Sequence, residues 1–266
     1  MPHQNPNPLP GKSPAQLIGA LREQIARLEA VHRPLSSDRV SSGCPPLDRL
    51  LPGGGFHRGT LVEWLSAGEG SGAETLALAA AKEASREGGV VVVLDPQHEF
   101  YPPAAVRAGI EPQRLLVVQV ANPADNCWTL DQALRCVGVA ALLTWADRLD
   151  GHVFRRMQLS TEEGGSLGLL LRPQEAQGEP SWADVRLGVE PLPALEQDEK
   201  VTSTLGTKYR APFSGRGRRL RIDLLRCRGS VGGESIEVEI DDETHTVYLA
   251  SPGVTPAVRR DRSRAS

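Results

Sequence analysis

Along the middle of the chain, short apolar runs alternate with segments in which apolar residues recur every three or four positions. The apolar runs are predicted strands, over residues 60–64, 90–94, 115–118, 139–144 and 167–171. The first four are followed by predicted helices, over residues 73–86, 103–108, 125–137 and 152–163. Strands such as VVVVL are apolar at every position, which is typical of a sheet covered by helices on both faces. The pattern therefore predicts an α/β fold with a mostly parallel sheet.

After Pro173 the pattern changes to an alternation of apolar and polar residues, which is typical of half-buried antiparallel strands. The segments concerned are residues 183–187, 219–225, 236–240 and 246–250. Between the first two, residues 191–217 are rich in Pro, Gly, Thr and charged residues, and we expect a mobile surface loop there. The sheet is thus predicted to end in an antiparallel meander.

Both ends of the chain differ from this central domain, which we place at residues 41–250. Residues 1–40 combine a Pro- and Asn-rich leader with one apolar stripe at helical spacing. The stripe consists of Leu17, Ile18, Leu21, Ile25 and Leu28. A helix that packs on its own domain and a helix that docks on a partner both fit this stripe. Residues 251–266, which include VRRDRSRAS, are predicted to form a disordered basic tail.

Composition and charge argue against several classes of protein. Among the 266 residues, 30 Lys and Arg stand against 33 Asp and Glu, which gives a net charge of -3. This balance provides no overall field that would hold the protein on DNA or on an anionic membrane, so nucleic-acid contacts would have to be local. The four cysteines lack the spacing of zinc sites. Because no segment resembles a signal peptide or a membrane span, we expect a cytoplasmic protein without a membrane partner.

Three segments, taken in this order, resemble RecA-type proteins. Residues 42–64 contain a Leu-Asp segment, a Gly-rich turn and an Arg-Gly turn before the first core strand. Residues 94–118 contain an acidic cluster after a strand, then a short helix and a new strand that begins with Leu-Leu. Residues 154–173, FRRMQLSTEEGGSLGLLLRP, resemble more specifically the ImuA-type proteins, which are RecA-like accessory factors of mutagenic translesion synthesis. The phrases YPPAAV and WTLDQALRC resemble ImuA-type and SulA-like sequences.

This resemblance covers about residues 42–190 and implies a RecA-like core. It also implies a non-catalytic role in the DNA-damage response, with three partners: an ImuB-like inactive Y-family polymerase, an error-prone C-family DNA polymerase and RecA itself. Two other functions stay open at this point. An active ATPase of the RecA or RadA type would show nucleotide-dependent thermal shifts, whereas a SulA-like inhibitor of cell division would cause filamentation without altered mutagenesis.

The segment expected to bind phosphate departs from the pattern that nucleotide hydrolysis needs. That pattern, G-x-x-x-x-G-K-[ST], supplies backbone N–H groups, a lysine for the terminal phosphates and a hydroxyl for Mg²⁺. At residues 67–74 the chain reads AGEGSGAE. Ala73 replaces the lysine and Glu74 replaces the hydroxyl, while Gly68, Gly70 and Gly72 remain. A weak anion site and a purely structural turn are both compatible with these glycines.

Two further positions of the RecA pattern also lack the expected side chains. Aligning Asp95 with the leading aspartate of the acidic cluster places Gln97 where the resemblance implies the glutamate that activates water. An amide cannot act as this base. The later strand, VAALLTW, ends in Thr144 and Trp145 and not in an aspartate that would support Mg²⁺. We therefore expect no ATPase activity, no catalytic residue, no metal and no cofactor.

Residues 205–230 contain eight basic residues and one acid, which is typical of a nucleic-acid-binding surface. The candidate arginines for binding DNA or a partner are Arg216, Arg218, Arg219, Arg221, Arg226 and Arg228. A structural explanation is open as well, because two glutamates of the next predicted strand are spaced to pair with arginines across a hairpin. These pairs would join Glu237 and Glu239 to Arg219 and Arg221.

Overall fold

The computed structural model describes residues 38–68, 70–120, 122–193, 217–229, 232–241 and 246–250. The predicted N-terminal stripe with Leu17, Leu21, Ile25 and Leu28, the predicted tail and the candidate Arg216 lie outside these ranges. The described part begins with a small antiparallel ribbon, in which β1 (Arg39–Val40) pairs with β2 (Phe56–His57). Val40 is buried in the core, so the ribbon belongs to the central domain.

A nine-stranded sheet forms the centre of the described domain. Its strands in chain order are β3 (Leu61–Ser66), β4 (Val90–Leu94), β5 (Leu115–Val118), β6 (Val139–Trp145), β7 (Leu167–Pro173), β8 (Val185–Leu192), β9 (Gly217–Cys227), β10 (Glu234–Asp241) and β11 (Val247–Leu249). Across the sheet their order is β11-β10-β9-β8-β3-β7-β6-β4-β5. The strands from β8 to β5 run parallel, and β9, β10 and β11 extend the sheet antiparallel.

Five α-helices in the described ranges connect or flank these strands. They are α1 (Pro45–Leu50), α2 (Ala73–Ser85), α3 (Pro102–Arg107), α4 (Pro123–Arg135) and α5 (Gly151–Gly164), with short 3₁₀ helices η1 (Pro112–Arg114) and η2 (Gln174–Gly178). The start of α5 shows why such segments become helical: the Asp150 side chain accepts hydrogen bonds from the backbone N–H groups of His152 and Val153. The helix ends at Gly164, and the next residue, Gly165, has a φ of 70°, which favours glycine.

Each face of the sheet carries its own apolar core. Buried residues of α1, α2 and α3, such as Leu47, Leu76 and Ala105, belong to one cluster. Buried residues of α4 and α5, such as Leu134 and Phe154, belong to the other. Strands covered on both sides must be apolar at every position, which is why VVVVL forms β4. The predicted mostly parallel α/β core with an antiparallel C-terminal meander is confirmed.

The pairing of β8 differs from the sequence prediction. Alternation over residues 183–187 predicts an antiparallel strand, but β8 runs parallel to β3 and pairs antiparallel only with β9 on its other side. The alternation has a different cause. Val185, Leu187 and Val189 are buried in the cluster that α1, α2 and α3 share, whereas Arg186 and Glu190 are only partly buried. One-sided burial, and not strand direction, produces the pattern.

A buried ion-pair network fixes the connection between β7 and β8. The Glu63 carboxylate, which is fully buried in β3, lies 3.1 Å from Nη1 of Arg172 and 2.8 Å from Nε of Arg186. It also accepts a hydrogen bond of 2.7 Å from the Ser181 hydroxyl. Arg172 is only 2% exposed, and its Nη2 donates to Glu179 at 2.6 Å. These paired charges hold residues 174–182 against the sheet.

A second charge cluster joins α4 to α5. The buried Asp131 carboxylate accepts hydrogen bonds from Arg156 at 2.7 Å, from the Ser160 hydroxyl at 2.6 Å and from Arg135 at 3.2 Å. The hydrogen bonds from Arg156 outweigh the effect of burial and hold the pKa of Asp131 well below its usual range, with Ser160 and Arg135 contributing. Asp131 therefore stays ionised and links the two helices.

Candidate functional site

A large cleft lies where the parallel strands β3, β4, β6 and β7 end. Its volume is about 1000 Å³, and its lining includes Ser66 at the end of β3, Asp95 after β4, Trp145 at the end of β6 and Pro173 at the end of β7. Ligands of open α/β sheets bind at this carboxyl edge. Most described residues of the segment 67–74 also line the cleft, so the candidate phosphate loop occupies the position that a nucleotide site requires.

The backbone of the candidate phosphate loop retains its glycine-dependent shape. Gly68, Gly70 and Gly72 have φ angles of 122°, 71° and 88°, in the region that favours glycine. Gly72 also faces β9 closely, because a Cβ atom there would lie 2.4 Å from Cδ1 of Leu220. The three glycines therefore preserve the turn that leads into α2, and Gly72 in addition allows β9 to pack on it.

Hydrogen bonds within the loop already use several of its backbone N–H groups. The amide of Ser71 donates to the carbonyl of Gly68 at 3.3 Å, and the amide of Ala73 lies 3.4 Å from the Ser71 hydroxyl. The amide of Gly68 lies 3.3 Å from the hydroxyl of Ser66, which is itself 2.7 Å from the Ser71 hydroxyl. A phosphate would have to compete with these internal acceptors for the same donors. Three amides of the loop thus already have acceptors within it.

The side chains at the lysine and hydroxyl positions cannot replace the missing groups. Ala73 is 1% exposed and belongs to the apolar cluster beneath α2, so it presents only a buried methyl group. Glu74 lines the cleft, where partial desolvation raises the pKa of its carboxyl group. A carboxylate about 4 Å from a phosphate oxygen would repel it by roughly 1 to 4 kcal/mol. Both substitutions disfavour a bound triphosphate.

The charges of the described residues that line the cleft also disfavour a bound triphosphate. Its acidic lining residues are Glu74, Asp95, Glu99, Asp147 and Glu175, and its basic lining residues are Arg107, Arg172 and Arg218. Arg172 is already paired with Glu63 and Glu179, and Arg218 donates to the Thr75 hydroxyl at 3.3 Å. With five acids against three bases, the described lining residues do not provide the concentration of cations that a polyphosphate needs.

Asp95 has a structural role in the loop after β4. Burial opposes its ionisation, but hydrogen bonds from Gln119 and from the backbone amides of Glu99 and Phe100 outweigh burial and lower the pKa of Asp95. These bonds saturate the carboxylate with donors from its own loop and from Gln119. Asp95 therefore shapes the cleft wall and is poorly placed to receive a proton.

The other two positions of the RecA pattern have no carboxylate. Gln97 is exposed and lines the cleft, as the resemblance implies, but its amide is not a base. Thr144 is buried at the end of β6, and its hydroxyl donates to the carbonyl of Leu94 at 3.0 Å. The Thr144 hydroxyl is thereby used to join β6 to β4.

The β9 arginines are engaged with groups of the domain itself. Arg219 contacts Glu237 at 2.7 Å and Glu239 at 3.5 Å, which agrees with the predicted cross-strand pairing. Arg221 differs from the prediction, because it pairs at 2.9 Å with Asp223 of its own strand. Two residues apart on a strand, these side chains share one face of the sheet. These carboxylates thus neutralise the positive charges of Arg219 and Arg221.

The two arginines near the end of β9 lie close to the segment before β8. Arg226 donates from Nη1 to the backbone carbonyl of Ser181 at 2.9 Å, and Arg228 lies 3.4 Å from Asp184. Neither arginine is among the residues that line the cleft, whereas Arg218 is. The described candidate arginines therefore do not form one surface: Arg218 lines the cleft, and the other four do not.

Sequence reasoning missed the buried charges and one exposed aromatic residue. Glu63 and Arg172 occur inside apolar runs, VEWL and LLLRP, and a charged residue in such a run usually signals a buried pair. Trp182 lies on the surface under the guanidinium of Arg155, a long-range contact that leaves no signal in the sequence.

Within the described ranges, no cluster of three or more His, Cys, Asp or Glu residues could hold a metal ion. No described helix has both the length and the apolar character that crossing a membrane would require.

Comparisons with known proteins agree with this architecture. The family model of the RecA N-terminal domain matches residues 21–143. Protein ImuA of Caulobacter vibrioides is 28% identical over 210 residues, which cover 73% of this chain and 80% of that protein. Protein RecA of Rhodopirellula baltica is 40% identical over 88 residues, and protein RecA of Chlorobaculum parvum is 42% identical over 80 residues. Each RecA match spans 23% of that RecA. The long match to ImuA and the shorter matches to RecA show that the chain is similar to ImuA-type, RecA-like proteins.

Proposed function

We propose that this protein is a non-catalytic accessory factor of DNA-damage-induced mutagenesis that acts by binding other proteins. The observation that carries the proposal is the state of the phosphate loop: Ala73 and Glu74 stand where the pattern has its lysine and hydroxyl, and three of the loop's backbone amides have acceptors within it. At the two other positions, Gln97 cannot act as a base, and the Thr144 hydroxyl is hydrogen-bonded to a backbone carbonyl of β4. The similarity to ImuA supports the setting in damage-induced mutagenesis.

The proposed partners are an ImuB-like inactive Y-family polymerase, an error-prone C-family DNA polymerase and RecA. In this proposal, the α/β domain serves as a scaffold, and the amphipathic stripe within residues 1–40 docks on a partner through its apolar face. The β9 arginines provide further contacts to a partner or to DNA. Their pairing with Glu237, Glu239 and Asp223 favours a modest contribution to affinity, because a partner would have to replace existing ion pairs.

Genetic complementation tests the proposed role. Deletion of the gene in the source organism should lower damage-induced mutation frequency, and the wild-type gene should restore it. The variant Glu74→Ala should restore it equally, because the proposed role needs no nucleotide turnover. A deletion that leaves mutation frequency unchanged, with filamentation on overexpression, would instead favour the SulA-like function.

Co-purification tests the proposed mode of action. The full chain and a variant lacking residues 1–40 are each mixed with the purified ImuB-like protein from the same genome. Recovery of the partner with the full chain, and its loss with the truncated chain, is the expected result. Equal recovery with both would show that the N-terminal stripe is not the docking element, and no recovery with either would contradict binding to this partner.

A further inference from the structure

The cleft at the carboxyl edge of the sheet carries carboxylates that are not paired with cations of the described domain. Of its five acidic lining residues, Asp95 is saturated by donors of its own loop and by Gln119. The other four are exposed, and none of them makes an ion pair within the described ranges: Glu74, Glu99, Asp147 and Glu175. The charges that disfavour a triphosphate therefore favour a cationic ligand.

The arrangement of these carboxylates suits several separate cations. Glu74 lies in the first turn of α2, Glu99 follows β4, and Glu175 follows β7. They do not converge on one point, since no described group of three acidic, His or Cys residues could hold a metal ion. The rings of Phe100 and Trp145 also line the cleft, with centroids 5.8 Å apart. A guanidinium pairs with carboxylates and stacks on aromatic rings, so the lining fits a segment with several arginines.

The chain leaves the sheet at the height of this cleft. Gln174, which lines the cleft, donates to Glu190 of β8 at 2.9 Å. In the strand register, Glu190 faces Arg221 of β9, and Arg221 faces Glu237 of β10. The amide of Ala250 donates to the carbonyl of Glu237 at 2.9 Å. Ala250, the last described residue, therefore lies in the same row of the sheet as the rim of the cleft.

The residues that follow Ala250 are basic and numerous enough to reach the cleft. Three strand spacings separate β11 from β8, a distance of about 14 Å. Arg259 is nine residues beyond Ala250, and an extended chain of that length spans up to about 30 Å. Residues 259–264 read RRDRSR and thus contain four arginines and one aspartate. These arginines can enter the cleft without any movement of the sheet.

We propose that the arginines of residues 259–264 dock in the cleft of their own chain. Their guanidinium groups pair with Glu74, Glu99 and Glu175 and stack on Trp145. The cleft at the carboxyl edge of the sheet then holds a basic segment of the same molecule in place of a nucleotide. Because the carboxylates are exposed, salt screens these ion pairs and the docking is reversible. The inference does not depend on the proposed role in mutagenesis.

Competition with a peptide tests the docking. A fluorescein-labelled peptide of residues 251–266 is titrated with full-length protein at low salt, and its anisotropy is followed. The neutral-tail variant keeps the full chain but carries four substitutions: Arg259→Gln, Arg260→Gln, Arg262→Gln and Arg264→Gln. This variant should bind the peptide. Wild type should bind it at least about 10-fold more weakly, because its own arginines occupy the cleft at an effective concentration on the order of millimolar.

Two sets of charge substitutions in the neutral-tail variant locate the binding. The first set removes carboxylates of the cleft: Glu74→Gln, Glu99→Gln and Glu175→Gln. The second set removes as many exposed carboxylates that do not line the cleft: Glu111→Gln, Glu162→Gln and Glu234→Gln. The first set should lower the affinity for the peptide about 3- to 100-fold, and the second should change it by less than about twofold. Urea unfolding confirms that both variants are folded.

Four results would overturn the proposal. The first is that the neutral-tail variant does not bind the peptide, and the second is that both sets of charge substitutions lower its affinity equally. The third is equal binding of the peptide by wild type and the neutral-tail variant, which would assign the cleft to a basic segment of another molecule. The fourth is a wild type that elutes as a dimer while the neutral-tail variant elutes as a monomer, which would place the arginines in a second copy.

Discussion

Substitution of Glu63 is expected to destabilise the domain strongly. Glu63→Gln keeps the shape of the side chain but removes the negative charge between Arg172 and Arg186, which lie 3.1 and 2.8 Å from its carboxylate oxygens. Removing one partner of a buried ion pair costs about 3 to 5 kcal/mol, because the other charge stays buried without compensation. Arg172 keeps its bond to Glu179 and to two backbone carbonyls, so we expect the lower end, about 3 kcal/mol.

Urea unfolding followed by circular dichroism measures this loss. With a urea dependence of about 3 kcal/mol per molar, the midpoint should fall by about 1 M. Asp223→Asn is the matched control, because it breaks the more exposed pair with Arg221 and should cost at most about 1 kcal/mol. If the urea midpoints of Glu63→Gln and Asp223→Asn coincide, the buried network around Glu63 does not stabilise the connection between β7 and β8.

Three further results are expected. Asp131→Asn should lower the free energy of unfolding at pH 7 by about 2 kcal/mol. Because the folded-state pKa of Asp131 is depressed, its contribution to the free energy of unfolding is present above about pH 4 and is lost as the pH falls. The free energies of unfolding of wild type and variant should therefore converge in acid. A constant difference between them at all pH values would refute this. Gly72→Ala should cost more than Gly70→Ala in urea unfolding, because both have positive φ but only Gly72 would clash with Leu220; equal midpoints would be inconsistent with that packing. The double variant Ala73→Lys with Glu74→Thr should remain without ATP turnover in a phosphate-release assay, because Gln97 and Thr144 still lack carboxylates; turnover in this variant would show that the loop alone limits activity.

Much of the core was predictable from the sequence, because the spacing of apolar residues within one short segment indicates a helix or a buried strand. The bounds of β4 and β5 match their predictions, since an apolar run flanked by turn residues fixes both ends of a strand covered on two faces. The helix after the phosphate loop begins at Ala73 as predicted. The direction of β8 was not predictable, because alternation reports one-sided burial, and strand direction depends on the distant neighbours β3 and β9.

The sequence predicts which catalytic side chains the candidate site lacks. It does not predict which residues contact one another there. Alignment to one short pattern identifies Ala73 and Glu74 as substitutions, and the structure places both in the first turn of α2, where Glu74 lines the cleft. The hydrogen bonds within the loop involve Ser66 and Ser71, which no motif distinguishes. The stack of Arg155 on Trp182 joins residues far apart in the chain, so it becomes visible only in three dimensions.

Nucleotide binding and turnover by the purified wild-type chain test the central claim most directly. Thermal unfolding is measured with and without Mg²⁺ and ATP, and phosphate release is followed under the same conditions with single-stranded DNA present or absent. A phosphate loop without its lysine predicts an unchanged melting temperature and phosphate release equal to that of a reaction without protein. A saturable rise in melting temperature, with phosphate release above that background, would show a working ATPase and contradict the proposed loss of catalysis.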